Sequence, residues 1–360
     1  MSDIETYFLC EGCQPPEDVA RRLADFVRTA TQTLDISIYS FRLRQELRDI
    51  VASALYERQE AGVKIRIAYD GGAQAEPDLI RYPSNDFADM STPEFVTSLG
   101  LPCKGIQGER TLMHNKYVIV DANTPQASIW TGSANFTNDS WSFQENNILI
   151  LRSQSLARLY TRDFNDMWEA GNLVCSGDEI GSGEATLQYE GEPAHVLVNF
   201  APCEGEWIDD FIARQIERTQ ERVTFATVVL TSGDILEALH KLMERGVPMD
   251  GVYDRTQMEG VKYQWERVPD NHWKIGAFHE LVEYGNLVGK KSIPWTPESK
   301  HDFMHNKVLV LDDVVVTGSY NFSRHAQKNA ENSLMIHSPA LAQTYREYIG
   351  SLRRRYARSV

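Results

Sequence analysis

The chain repeats itself, so its fold must place the same ordered set of elements twice. His114-Asn115-Lys116 recurs as His305-Asn306-Lys307, an offset of 191 (305 − 114). Gly132-Ser133-Ala134-Asn135-Phe136 recurs as Gly318-Ser319-Tyr320-Asn321-Phe322, an offset of 186 (318 − 132). Glu145-Asn146 recurs as Glu331-Asn332 at the same offset of 186 (331 − 145). Upstream, Gly62-Val63 matches Gly246-Val247 and Asp70 matches Asp254, both at an offset of 184 (254 − 70). Self-similarity over this distance marks a duplicated structural unit. The drifting offset marks small insertions between elements whose order is kept.

Each unit reads alike. A helix opens it, Asp18 to Ala30 and then Trp207 to Thr219. A β-rich run follows, Leu34 to Phe41 and Val223 to Leu230, then an amphipathic helix, Arg44 to Glu60 and Asp234 to Arg245. A strand ending at an aspartate comes next, Lys64 to Asp70 and Pro248 to Asp254. After a variable segment, the H-x-K strand runs from Lys116 to Val120 and from Lys307 to Leu311. An apolar strand, Ile148 to Leu151 and Leu334 to His337, and a last helix, Gln154 to Glu169 and Ala340 to Arg354, close each unit. Strands alternating with helices predict an α/β sandwich with a largely buried mixed sheet. The expected domains are a first half over 1–178, a linker over 179–192 in a stretch rich in Gly, Ser and acids, and a second half over 193–360.

Composition bounds the possibilities. With 42% hydrophobic and 24% charged residues among 360, the chain is an ordinary globular one. No apolar run reaches the roughly 18 to 20 residues that a membrane helix needs. The polar N-terminus, Met1 to Thr6, predicts no secretion signal, and a cytoplasmic location is expected. A net charge of −15 works against extended contact with nucleic acid or anionic lipid, though a narrow basic cleft remains compatible. Five cysteines, Cys10, Cys13, Cys103, Cys175 and Cys203, are too few and too scattered for a disulfide framework. Cys10 and Cys13 supply half of a metal site at most, and are expected as free thiols near the chain end.

The repeated residues suit chemistry at a phosphate. On a strand, period-2 alternation puts His and Lys of H-x-K on one face. Lys116 and Lys307 supply compact positive charges for phosphate oxygens. Asn135, Asn321, Ser133 and Ser319 add hydrogen-bond donors. Two converging copies make a preorganised clamp for transition-state charge. One histidine can attack phosphorus and the other can move protons, so His114 and His305 are the catalytic pair. Glu145 and Glu331 are placed to accept from the other ring nitrogen and fix the tautomer. No metal or cofactor is required, because the lysines supply the charge. Asp121 and Asp312 fall at the strand ends, away from the histidines, and read as structural.

H-x-K-x4-D followed by G-S-x-N resembles the signature of the phospholipase D superfamily, here in two copies spanning nearly the whole chain. The resemblance implies two α/β/α sandwich halves related by a pseudo-two-fold axis. It places His114 and His305 face to face, with Lys116, Lys307, Asn135 and Asn321 on the phosphate and Glu145 and Glu331 orienting the histidines. It gives the first histidine, His114, the nucleophile's role and His305 the acid/base work, through a covalent phosphohistidine. Both half-sites lie in one chain, so a monomer suffices, and the partner is a phosphodiester substrate.

The substrate is less constrained. The stretch Thr317 to Ile336 resembles the small bacterial and piRNA-pathway nucleases of that superfamily, and a nuclease-like phosphodiesterase is the leading expectation. A phospholipase D or phosphatidyl transferase, without stable membrane insertion, is the alternative; a non-catalytic phosphate-binding module is third. Between Arg255 and Met304, Tyr263, Trp265, Trp273, Phe278, Tyr284 and Trp295 alternate with Lys262, Lys274, Lys290, Lys291 and Lys300. Such a segment suits base stacking, a lipid interface or simple packing on the sheet edge.

Overall fold

A computed structural model describes residues 2–72, 90–173, 183–294, 296 and 299–359. In the first half these form β1 (Ile4–Leu9), α1 (Pro16–Arg28), β2 (Thr33–Ile38), β3 (Phe41–Arg42), α2 (Gln45–Glu60), β4 (Lys64–Asp70), α3 (Thr92–Ser98) and β5 (Cys103–Ile106). They continue with β6 (Lys116–Val120), β7 (Ser128–Gly132), β8 (Phe136–Thr137), α4 (Asn138–Ser142), β9 (Asn146–Arg152) and α5 (Gln154–Ala170). The second half opens with β10 (Gly183–Tyr189), β11 (Glu192–Ala201), α6 (Gly205–Arg218), β12 (Val223–Thr227), α7 (Gly233–Glu244) and β13 (Met249–Asp254). It closes with α8 (Arg255–Trp265), α9 (His272–Tyr284), β14 (Val288–Lys290), β15 (Lys307–Leu311), β16 (Val314–Gly318), β17 (Glu331–His337) and α10 (Pro339–Tyr356).

Two mixed sheets result. The first runs β1-β9-β7-β6-β2-β4-β5 and the second β10-β11-β17-β16-β15-β12-β13-β14. Both have the same plan: antiparallel pairing through the H-x-K strand, then two parallel pairs, β2/β4/β5 and β12/β13/β14. Alternation along β6 and β15 divides their side chains between two cores. Tyr117, Ile119, Val308 and Val310 join a central core shared by both halves, with Tyr160 and Phe164 of α5 and Tyr345 and Ile349 of α10. Val118 and Val120 face an outer core under α1 and α2, while Leu309 and Leu311 face one under α6 and α7. Burying both faces explains why these strands read as continuous apolar runs.

The expected linker over 179–192 needs correction. Residues 183–189 form β10, which pairs with β11 along its length, Gly183 opposite Val198 through Tyr189 opposite Glu192. Apolar Leu187 and Tyr189 alternate with polar neighbours and bury against the central core, a short pattern hidden by the surrounding Gly and acids. The part of the linker at 179–182 and Cys175 lie outside the described residues. The expected free thiols are corrected as well: Cys10 and Cys13 are joined as a disulfide, Cα atoms 5.3 Å apart. The turn that hydrogen-bonds Cys13 N–H to the Cys10 carbonyl brings the two side chains together.

Asp121 and Asp312 each end a motif strand in the left-handed region, at φ 50° and 49°, which aspartate tolerates better than most residues. The Asp121 carboxylate accepts from the backbone N–H groups of Thr31, Gln32 and Thr33 at 2.7–2.8 Å and from the Thr31 hydroxyl at 2.6 Å. Asp312 accepts in the same way from Gln220, Glu221 and Arg222, each at 2.9 Å. Both carboxylates thus fasten the turn that enters the neighbouring antiparallel strand, β2 or β12. Asp121→Ala should cost about 2–3 kcal/mol by stranding several donors, read as a lower midpoint in denaturant unfolding; an unchanged midpoint would remove this role.

Candidate active site

The G-S-x-N turn follows directly from the close approach of two strands. Gly132 and Gly318 sit at φ 139° and 132°, and a Cβ there would lie 2.2 and 2.3 Å from the carbonyl oxygens of Asn147 and Asn332. Only glycine fits. The next residue then donates its N–H to the same carbonyl, Ser133 to Asn147 and Ser319 to Asn332, both at 3.0 Å.

The H-x-K strands meet across the boundary between the halves. His114 N–H donates to the Ala330 carbonyl (2.9 Å) and His305 N–H to the Glu145 carbonyl (3.1 Å). His114 and Lys116 share a face, as do His305 and Lys307, and each lysine ammonium donates to the carbonyl of its own histidine at 2.7 Å. Asn115 points to the opposite face, where its amide donates to Asp163. His114 Nδ1 lies 2.8 Å from Glu331 Oε2, so one half's histidine is oriented by the other half's carboxylate.

The expectation that Glu145 orients a histidine is overturned. His305 Nδ1 faces Asn146 Oδ1 at 3.0 Å. Glu145 turns away and pairs with Lys290 Nζ at 2.6 Å, with Tyr356 Oη and with the Glu11 N–H. The physical reason is register. The strand partners Gly132 with Ile148 and Gly318 with Ser333, an offset of 185 (333 − 148). Asn147 N–H meets Ser133 Oγ as Asn332 N–H meets Ser319 Oγ, again 185 apart. Asn146 is therefore the counterpart of Glu331, and Glu145 that of Ala330. The extra residue is absorbed around α4, and a one-residue slip in a strand sends a side chain to the other face. The signal was present downstream: Ser153 and Ser338, which cap α5 and α10, lie 185 apart.

The serines expected to bind phosphate hydrogen-bond the histidine partners. The Ser133 hydroxyl donates to Asn146 Oδ1 at 2.7 Å, and the Ser319 hydroxyl bonds the Glu331 carboxylate. Asn135 and Asn321 follow the two serines, and their amide oxygens are buried without a partner. Among the described residues, no hydrogen bond joins either amide oxygen to a histidine.

One site residue escaped the sequence reading. The Tyr39 ring lies 4.8 Å from that of His114 and 5.1 Å from Lys116 Nζ, centroid to centroid and centroid to nitrogen. Its N–H donates to the Asn115 carbonyl, as Val228 N–H donates to Asn306. Tyr39 thus gives the first half an aromatic wall where the second has valine. Nothing in the repeat flags it, because it is where the copies differ.

The electrostatics are those of a site awaiting an anion. Burial, aided by the charges of Lys116 and Lys307, holds both histidines well below the usual range and so neutral. Burial lowers Lys116 to about 7 and Lys307 well below normal, the latter also repelled by Lys116. Burial lifts Glu331 to about 8, against the pull of Lys116, Ser319, Asn329 and Lys307. An incoming phosphate-like anion restores the lysine charges, so binding takes up protons. Tungstate should therefore raise the melting temperature more at about pH 6 than at about pH 9, where free lysines stay neutral; an equal rise at both would exclude the lysines as the anion's partners.

The chain belongs to a phospholipase D-like family: the profile described as cardiolipin synthase, PLD-like domain, matches residues 23–168 and 212–353. That family places it in the phospholipase D superfamily. A phospholipase D of Rickettsia felis is 31% identical over 137 residues, 38% of this chain and 58% of the relative. A mitochondrial cardiolipin hydrolase of Chlamydomonas reinhardtii is 23% identical over 162 residues, 44% of this chain and 61% of the relative. The chain thus matches about three-fifths of these relatives' length. Among solved structures, phosphatidylserine synthase of Haemophilus influenzae shares the fold, with a TM-score of 0.65 and 14% identity over 98% of this chain and 86% of that one. Among the described residues, no helix is long and apolar enough to cross a membrane.

Proposed function

We propose that the protein is a metal-independent phosphodiesterase working through a covalent phosphohistidine, with a phospholipid diester as its substrate. The observation that carries this reading is the contact of His114 with Glu331 of the other half, flanked by both motif lysines. The free Nε2 of His114 attacks phosphorus, and the bond to the leaving oxygen breaks as His305, which takes up a proton on Nε2 when the diester anion binds, gives that oxygen the proton. Water, or a second alcohol, then loses a proton to His305 and attacks phosphorus. The P–N bond breaks and His114 returns neutral. Lys116 and Lys307 hold the non-bridging oxygens throughout.

The lipid reading draws on the relatives' names, phospholipase D and cardiolipin hydrolase, and on three features of the chain. Its net charge of −15 disfavours a long polyanion. Two lysines of the aromatic–lysine segment are held inward, Lys290 by Glu145 and Lys300 by Glu11. That segment folds as α8 and α9: Trp265 and Phe278 are buried, while Tyr263, Val268 and Trp273 are exposed, apolar surface suited to a lipid–water boundary. Trp295 lies outside the described residues. A nucleic-acid substrate is the second reading, favoured by the sequence of Thr317 to Ile336.

The test is one panel in EDTA: phosphatidylcholine and cardiolipin vesicles with ethanol, single-stranded DNA, duplex DNA and RNA. Headgroup release with phosphatidylethanol formed is the expected result. Cleavage of a nucleic acid alone, lost in His114→Ala, would replace the lipid reading with the nuclease one.

A further inference from the structure

The two histidines have unequal partners. Behind His114 stands a carboxylate, Glu331, at 2.8 Å; behind His305 stands an amide, Asn146, at 3.0 Å. The orientation of that amide is fixed by its neighbours. Asn146 Oδ1 accepts from the Ser133 hydroxyl, and Nδ2 faces the carbonyl and hydroxyl of Ser140 and the Gln144 side-chain oxygen, at 3.2–3.4 Å. Oδ1 must therefore accept from His305, which puts that ring's proton on Nδ1 and leaves Nε2 free.

We infer that Asn146 is the positioning residue of His305, holding its tautomer without adding charge, and that this unequal pairing sets the proton affinities of the two histidines apart. The inference rests on the phosphodiesterase reading above. A histidine that bonds phosphorus through Nε2 keeps its Nδ1 proton and becomes a cationic ring. Glu331, raised to about 8 in the free site, ionises against that cation, and the charge-assisted hydrogen bond that forms is roughly twice as strong as a neutral one. The proton carrier must both give a proton to the leaving oxygen and take one from the incoming water or alcohol, and a neutral amide behind it leaves its proton affinity between those two demands. The other groups facing the rings are nearly shared. Lys116, Lys307 and the Ser133 carbonyl bear on His305, together with His114 itself. Lys116, Lys307 and the Ser319 carbonyl bear on His114, with the Tyr39 ring beside it. The Glu145 carboxylate, next along the chain from Asn146, is neutralised by Lys290. What remains unequal is Glu331 against Asn146.

The test compares Asn146→Asp and Glu331→Gln. With a dialkyl phosphodiester such as a phospholipid, whose alkoxide leaving group needs a proton, kcat should follow a bell whose acidic limb reports the nucleophile and whose alkaline limb reports the acid. Asn146→Asp should move the alkaline limb up by about 1–3 pH units, as an opposite charge at this range does. Glu331→Gln should move the acidic limb down and lower the yield of phosphoenzyme. Movement of the acidic limb by Asn146→Asp would overturn the assignment of roles. If Asn146→Asp misfolds, the near-isosteric Glu331→Gln carries the same decision. Nitrogen-15 NMR of labelled histidine reads the pairing without turnover: His305 should carry its proton on Nδ1, and its titration should rise in Asn146→Asp. An absent shift would overturn the inference. A shift present in a protein that turns over no diester would overturn the functional reading alone.

Discussion

Replacing His114 by alanine should lower phosphodiester turnover by at least about 10⁴-fold, because the covalent route is lost and no neighbour can substitute for it. The fold should survive. Glu331 keeps the Ser319 hydroxyl and the Asn329 amide as partners, and the backbone bond from residue 114 to the Ala330 carbonyl needs no imidazole. Replacing His305 should act differently. With a poor leaving group, turnover falls by about 10²–10⁴-fold, the usual worth of a positioned acid. With a nitrophenolate leaving group the first step needs little protonation, so a burst of product should precede a slow second step. Single-turnover kinetics would separate the two cases. Near-wild-type turnover in His114→Ala would remove the mechanism.

Lys290→Met should destabilise the protein by about 3–5 kcal/mol, the cost of leaving one member of a buried ion pair alone. Lys290 and Glu145 are 2% and 0% exposed, and their 2.6 Å contact ties three parts of the chain together. Tyr356 at the end of α10 donates to Glu145, the Glu11 N–H donates to it from the Cys10–Cys13 turn, and Lys290 comes from β14. The other half does without this pair. Lys290 lies opposite Asp254 in β14 as Ile106 lies opposite Asp70 in β5. Glu145 corresponds to Ala330, so the equivalent of the ion pair is an isoleucine and an alanine, both fully buried. Joint replacement, Glu145→Ala with Lys290→Met, should therefore recover at least half of the loss. Denaturant unfolding of the two single variants and the double closes the cycle. Additive losses would show that the charges are not coupled.

The sequence displays best what the two halves share. The H-x-K strands, the G-S-x-N turns, the two parallel strands ending at Asp70 and Asp254, and the closing helices all follow from periodicity doubled by repetition, and their bounds lie within a few residues of those observed. Asp121 and Asp312 hold the turns beside the motif strands from the strand ends, where the sequence places them. What the sequence hid is where the copies differ. Glu145-Asn146 and Glu331-Asn332 match letter for letter, yet the strand register pairs Asn146 with Glu331, since a hydrogen-bonded ladder and not an identical dipeptide decides which side chain faces the histidine. Tyr39 and Lys290 replace Val228 and Ile106 at equivalent places, so no repeated letter points to them. α8 and α9 were hidden in a segment whose mixed aromatics and lysines bury only one narrow face, through Met258, Trp265, Ala277, Phe278 and Leu281. β10 was hidden by glycine and acidic neighbours.

The most direct measurement is intact-protein and peptide mass spectrometry of the enzyme quenched in alkali during turnover of a bis-aryl phosphodiester in EDTA. An aryl-phosphoryl adduct on His114 is expected in the wild type, accumulating in His305→Ala and absent from His114→Ala. Turnover without any adduct, or an adduct on His305 with His114 unmodified, would contradict a site in which Glu331 of one half arms the histidine of the other.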